Sequence, residues 1–283
     1  MSTAILLIHC PDRKGLVATI STFLYEHGAN ILHADQHQDE RHGLFFMRVE
    51  YSLDGFDLDH DSFVERFSPI AETFAIRWRL EYSAVRPSMA IFVSHHVHCL
   101  VDLLHRHAIG ELAARIPVVI GNHEDARALV EFHGIEFHHI PVSPETRAAS
   151  EARQLEVLRT YNVDLIVLAR YMQILSPAFV ERYPERIINV HHSFLPAFVG
   201  ARPYHAAFDR GVKLIGATSH YVTSELDEGP IIEQDVARVS HRDQVDDLVQ
   251  KGRDLERLVL SRAVRWHLEH RVLLYANKTV IFD

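Results

Sequence analysis

The sequence holds only two cysteines, Cys10 and Cys99, and no C-x-x-C spacing. Neither a disulfide framework nor a cysteine-built zinc site is expected. No apolar run reaches the roughly 20 residues that a membrane-spanning helix needs, and Met1-Ser2-Thr3-Ala4 does not open a basic leader with a signal-length apolar stretch. No membrane partner is expected, and a reducing cytoplasm is the expected location. Clusters of Lys and Arg are also missing from a chain whose formal charge is -9, which excludes a broad phosphate-neutralising footprint and hence a nucleic-acid partner. Internal repeats, low-complexity tracts, H-E-x-x-H and G-x-S-x-G are absent as well.

What is present describes an ordinary soluble chain, with 47% apolar and 24% charged residues over 283 positions. At about 150 residues per domain, that length predicts two domains. A short polar joint, Val85-Arg86-Pro87-Ser88, supplies the boundary, giving domains 1–84 and 85–283.

In the first domain, Ala4 to His9 reads as a strand. Leu16, Val17, Ile20, Phe23 and Leu24 then share one helical face, and His27-Gly28 ends the helix. Asn30 to Gln38 and Leu44 to Tyr51 read as a hairpin. Phe63, Val64, Phe67 and Ile70 mark a second helix, which Pro69 is expected to kink, end or restart, and Ala75 to Tyr82 supplies a last strand. The order βαββαβ predicts a ferredoxin-like antiparallel sheet covered on one side by two helices. Together with Asp12-Arg13-Lys14-Gly15-Leu16-Val17, it resembles an ACT domain. The resemblance implies a regulatory or assembly module, self-association as a dimer or tetramer, and an amino-acid effector. Asp12, Arg13, Lys14 and Gly15 are the candidate ligand loop, because free amides at a helix start attract a carboxylate. Assembly without any ligand is the other reading of the module.

From Met89 the rhythm changes to strands alternating with helices, as far as the strand Ile187 to Val190. This predicts an α/β, Rossmann-like, mostly parallel sheet with helices on both faces. A long amphipathic helix through Val245, Leu248, Val249, Leu255, Leu258, Val259 and Trp266 follows, slightly weakened by Gly252, and Val272 to Asp283 reads as a closing hairpin.

Chemistry concentrates between Ile187 and Asp235. Asn189 and His191 lie two apart at the end of one strand and so share a face, while Asp227 sits in a turn after the second strand, Ile215 to Val222. An amide, an imidazole and a carboxylate at one sheet rim would supply oxyanion donors and a general acid/base. Each also has a plain structural reading: backbone satisfaction, a packed histidine, or the opening of an Asx turn. Ser193 fits a structural turn better than a nucleophile.

N-x-H-x-S-x-L-P at Asn189 to Pro196 and L-D-x-G-P at Leu226 to Pro230 resemble the folate-dependent formyl transferase superfamily. Gly200-Ala201-Arg202-Pro203-Tyr204-His205, with the small domain upstream, is similar to its formyltetrahydrofolate deformylase branch. The resemblance implies hydrolysis of 10-formyltetrahydrofolate to formate and tetrahydrofolate, with the folate as substrate, no tightly bound cofactor, and a place in one-carbon and purine metabolism. Asn189 and His191 would stabilise the oxyanion and Asp227 would act as acid/base. Met172, Gln173, Ile174 and Leu175 would line the pterin site largely through backbone, with Val222 and Thr223 as another wall.

Transfer of the formyl group to an amine acceptor such as glycinamide ribonucleotide is the nearest rival. Against it, bulky Ser94-His95-His96-Val97-His98-Cys99 replaces the small-residue phosphate turn of those transferases. A non-catalytic regulator that binds folate or an amino acid is a further alternative. His95, His96, His98 and Cys99 raise a metal reading, but adjacent ligands at this spacing are awkward and no metal is expected.

Overall fold

The structure, a computed structural model, describes residues 2–196 and 203–283. The expected elements Gly200, Ala201 and Arg202 of the linking motif lie outside the described residues. The chain divides into two units, one ending at Arg86 and including Glu269–Asp283, the other Pro87–Leu268.

The first unit runs β1 (Thr3–Pro11), α1 (Leu16–Glu26), β2 (Asn30–Asp39), β3 (Leu44–Ser52), α2 (His60–Phe74) and β4 (Arg77–Tyr82). The strands form an antiparallel sheet in the order β2-β3-β1-β4, as the βαββαβ pattern predicts. Leu16, Ile20, Phe23 and Leu24 of α1 join Phe63, Phe67 and Ala71 of α2 over Leu6, Ile8 and Val49 of the sheet. Pro69 neither ends nor restarts α2, which runs through it.

The sheet is covered on both faces, not one. Ile5, Leu7 and Phe46 pack with Leu273, Val280 and Phe282 of the closing hairpin, whose strands are Val272–Tyr275 and Lys278–Ile281. That hairpin therefore belongs to the first unit, although a boundary at residue 85 assigns it to the second. The physical reason lies in β1. Neighbouring strand residues face opposite ways, so an unbroken apolar run, Ala4 to Ile8, needs cover on both sides. Arg48, only 2% exposed, completes the attachment by donating to the carbonyls of His270 at 3.1 Å and Glu269 at 3.2 Å.

The second unit runs β5 (Ser88–Val93), α3 (His98–Ala108), β6 (Arg115–Gly121), α4 (Arg127–Phe132), β7 (Glu136–His139), α5 (Arg147–Thr160), β8 (Leu165–Ala169) and α6 (Pro177–Val180). It continues through β9 (Ile187–His191), α7 (Pro203–Arg210), β10 (Leu214–Tyr221), β11 (Ile231–Arg238) and α8 (Val245–Leu268). Its sheet has the order β11-β10-β9-β8-β5-β6-β7. β7, β6, β5, β8 and β9 are parallel, while β10 and β11 are added antiparallel. Every residue of β5 and β8 is buried, as two-sided helical cover demands. The strand order reverses between β5 and β8, and the loops leaving that junction flank the site described below.

Two further elements, α7 and β11, are not marked by the sequence pattern. Gly252 does more than weaken α8: a Cβ there would lie 2.1 Å from Tyr204 Cζ, so the glycine admits the Tyr204 ring against the helix.

A chain ending at Leu268 loses the cover over Ile5, Leu7 and Phe46 and removes two acceptors from Arg48. Uncovering a large apolar side chain costs about 1.5–3 kcal/mol, so the first unit is expected to melt at lower temperature. Hydrogen exchange at β1 and β3 amides reads this directly, and unchanged protection there would contradict the assignment of the hairpin.

Candidate active site

The antiparallel register of β9 and β10 sets His220 directly opposite Asn189 and Thr218 opposite His191. Alternate residues share a face, so Asn189, His191 and His220 converge. Thr218 Oγ1 fastens the loop that leaves β9: it donates to Ser193 O at 2.9 Å and accepts from Leu195 N at 3.1 Å and Gln234 Nε2 at 2.9 Å. Ser193 is buried in that turn.

Asp227 reaches the same place by a chain reversal. Tyr221 N donates to Pro230 O at 2.9 Å, which folds the turn back over the end of β10. A Cβ on Gly229 would fall 1.8 Å from Tyr221 O, so only glycine allows this approach. Asp227 itself has φ 56°, a left-handed conformation that Asp and Asn tolerate better than most residues. Its Oδ2 lies 3.2 Å from His191 Nδ1 and its Oδ1 3.5 Å from His220 Nε2.

These contacts assign roles to each nitrogen. His220 Nδ1 is 2.9 Å from the carbonyl of Tyr221, so it carries a proton. Its Nε2, 3.2 Å from Asn189 Nδ2, then accepts from the amide and leaves the second N–H of Asn189 for another acceptor. Only when doubly protonated does His220 donate to Asp227 instead, because one ring nitrogen cannot serve both. His191 directs Nδ1 to Asp227, and its buried Nε2 has no hydrogen-bond partner among the described residues. The Asp227 carboxyl is held well below the usual carboxylate range, first by the His191 hydrogen bond and then by His220, against the opposing effect of burial.

A cleft of about 330 Å³ opens on this cluster. Every residue expected at the folate site lines it: Met172, Gln173, Ile174 and Leu175 on one side, Val222 and Thr223 on the other, with Asn189, His191 and Asp227 between them. Met172, Ile174 and Leu226 are 51%, 57% and 57% exposed, an apolar rim above a polar floor. Such a rim suits a flat apolar ring system whose reacting end points inward. Arg170 and Met172 have φ 60° and 59°, which turns the loop after β8 into the cleft. Its Ile174 carbonyl accepts from Arg147, and Ser176 N donates to Glu151 at 2.8 Å, so α5 braces it.

Where the β5 and β8 loops meet, Glu256 of α8 is buried and accepts from His98 Nε2 and Tyr204 OH, each at 2.7 Å, with Arg170 Nε at 3.4 Å. Burial pushes its carboxyl up, but the His98 bond and the Arg170 charge outweigh that and hold it below its ordinary value. Burial likewise pushes the Cys99 thiol far up. His220, Arg170 and Glu256 are absent from the sequence-based site. His220 is the one imidazole in β10, next to Thr218 and Ser219, a signal that becomes readable once its register against Asn189 is known.

In the first unit a separate hollow of about 410 Å³ is lined by Asp12, Arg13 and Gly15 together with Gln36, Gln38 and Phe45; Lys14 is not among the lining residues. Gly15 has φ 93° at the start of α1, and Asp12 Oδ2 accepts from Gln38 Nε2 at 2.6 Å.

Residues 88–264 match the formyl transferase family and residues 4–62 the ACT domain family. Formyltetrahydrofolate deformylase of Synechocystis is 54% identical over 280 residues, 99% of this chain and 98% of that one. The chain belongs to the formyltetrahydrofolate deformylase family. The crystal structure of the family member from Pseudomonas syringae pv. tomato matches it with a TM-score of 0.97 at 52% identity, covering 100% of this chain and 95% of that one. Glycinamide ribonucleotide transformylase 1 of Symbiobacterium toebii matches with a TM-score of 0.65 at 31% identity, covering 72% of this chain and 98% of the transformylase. Among the described residues, no helix is long and apolar enough to cross a membrane.

The Asp227 contacts predict a pH signature. A depressed folded-state pKa means that the unfolded chain takes up the proton first. The stabilisation is therefore present above the ordinary Asp value of about 3.9 and is lost as pH falls below it. Asp227→Asn, which keeps the left-handed backbone accessible, is expected to unfold at lower urea concentration than the parent at pH 7. The gap should narrow towards pH 3, and a constant gap would contradict the ionised contact.

Proposed function

We propose that this chain hydrolyses 10-formyltetrahydrofolate to formate and tetrahydrofolate in one-carbon metabolism. The observation that carries the reading is the end-to-end match to deformylases at 45–54% identity, first unit included, in a chain whose cleft gathers Asn189, His191 and Asp227. The folate enters with its ring system between the 172–175 loop and Val222–Thr223, and its formyl group reaches the polar floor.

Water then attacks the formyl carbon. The new C–O bond moves the carbonyl π electrons onto oxygen, where the free Asn189 N–H and the Nε2–H of a doubly protonated His191 stabilise the charge. Asp227 takes one water proton and hands it to N10 as the C–N bond breaks, leaving the amine and formic acid, which releases its remaining proton to solvent as formate. The low pKa of Asp227 in the free site favours a second division of labour, in which His191 Nε2 accepts the water proton and Asp227 orients and charges the ring. An acid limb of kcat near neutrality would select the second division, and one in the carboxylate range the first.

Transfer to an amine is the less supported reading. The segment after β5 presents His98 to Glu256 rather than an open backbone turn for a phosphate. We further assign the hollow by Asp12, Arg13 and Gly15 to an amino-acid effector and the first unit to self-association as a dimer or tetramer, with the cytoplasm as location. No tightly bound cofactor enters the reaction.

Formate release from 10-formyltetrahydrofolate without an amine acceptor tests the activity. The parent is expected to turn over and Asp227→Asn to lose about 100-fold or more. Release that begins only when an amine is supplied would move the chain to the transferases. Release unchanged by the substitution would remove Asp227 from the chemistry.

A further inference from the structure

The chain contains 22 histidines, most of them without a use in the reaction above. The His-rich segment after β5 splits in two directions. His98 and Cys99 turn inward beside Glu256, whereas His95 turns to residues that follow β6. His95 Nδ1 lies 3.1 Å from Asp125 Oδ2, and the His95 ring stacks on His123 with centroids 3.5 Å apart and planes inclined by 24°. One ligand atom from each of His95, His123 and Asp125 lies within 4.8 Å of the other two. We propose that His95, His123 and Asp125 form a binding site for one divalent transition-metal cation of the zinc type, outside the catalytic cleft.

Donors at about 2.0–2.1 Å from a tetrahedral ion sit about 3.4 Å apart, so the donor spacing is suitable, but closure on an ion requires a swing of the His95 ring out of its stack on His123 until both ring planes contain the ion. The side chains of His95 and Asp125 are 59% and 47% exposed and free to make it. Two imidazoles and one carboxylate, with water in the fourth position, suit zinc, cobalt(II) or nickel(II). Magnesium and calcium prefer all-oxygen shells, and thiolate-seeking ions find no sulfur here. Glu124 adds negative charge nearby, although Arg127 Nε at 2.6 Å and His139 Nδ1 at 2.8 Å already occupy its oxygens.

A second trio, His98, Cys99 and Glu256, meets the same distance test but is a poorer cation site. Both Glu256 oxygens already accept hydrogen bonds, and Arg170 lies against the carboxylate. The spacing objection raised from the sequence applies to ligands within one loop. Here they come from two, and an ion would clip the β5–α3 turn to the β6–α4 turn. None of the three residues lines the catalytic cleft, so the clip bears on stability rather than turnover.

The test uses the full chain stripped with chelator and titrated with Co²⁺ by visible absorption, then with Zn²⁺ by calorimetry and thermal unfolding. One equivalent per chain, a d–d band of four- or five-coordinate Co²⁺, micromolar affinity and a Zn²⁺-dependent rise in Tm are expected. His123→Ala and, separately, the exposed His95→Gln should each weaken that equivalent at least tenfold and abolish the Tm rise. His133→Ala should leave both intact, and formate release should persist in all three. A parent that binds no stoichiometric ion, or an equivalent that survives in His95→Gln, overturns the proposal.

Discussion

The cleft depends on one contact, the ionised Asp227 carboxylate held between His191 and His220 at the end of two antiparallel strands. The parallel part of the sheet cannot produce it alone, because parallel strands deliver their loops to one rim and return on the far side of a helix. Adding β10 antiparallel to β9 places Asn189 and His220 face to face. The bare Cα of Gly229 then lets the next turn fold back and present Asp227. A carboxylate with two imidazoles beside it fixes ring orientation, and with it the direction in which His191 Nε2 points. The motif spacing reflects that geometry: Asp227 is the acid, Gly229 makes the close approach to Tyr221, and the Pro230 carbonyl closes the reversal.

Much of this was legible in the sequence because local rules suffice for it. Asn189 and His191 share a face by strand alternation alone, and the βαββαβ order of the first unit follows from periodicity and turns. Other parts depend on pairings that no local rule supplies. His220 acquires meaning only from its register partner, and Arg170 meets Glu256 only after α8 packs beneath the β8 loop. β11 is hidden in the sequence because Glu233-Gln234-Asp235 breaks the apolar pattern of an edge strand. The closing hairpin is legible as an element but its packing against β1 is not, although the unalternated run Ala4 to Ile8 requires cover on two faces.

The histidines illustrate how context divides one residue type among several tasks. His191 and His220 face a carboxylate at the floor of a cleft, His98 satisfies a buried one, and His95 stacks at the surface. Composition alone treats them as one anomaly. Burial and partner separate them, because an imidazole is a proton carrier, a hydrogen-bond donor or a metal ligand according to what lies beside each nitrogen.

The return of the closing hairpin to the first unit also bears on biosynthesis. Domains usually fold in the order in which they leave the ribosome. Here β1 to β4 emerge early, yet the outer face of their sheet stays bare until the whole of Pro87–Leu268 has been translated. During that interval Ile5, Leu7 and Phe46 present an apolar surface to the cell, and the unit made first is the one completed last.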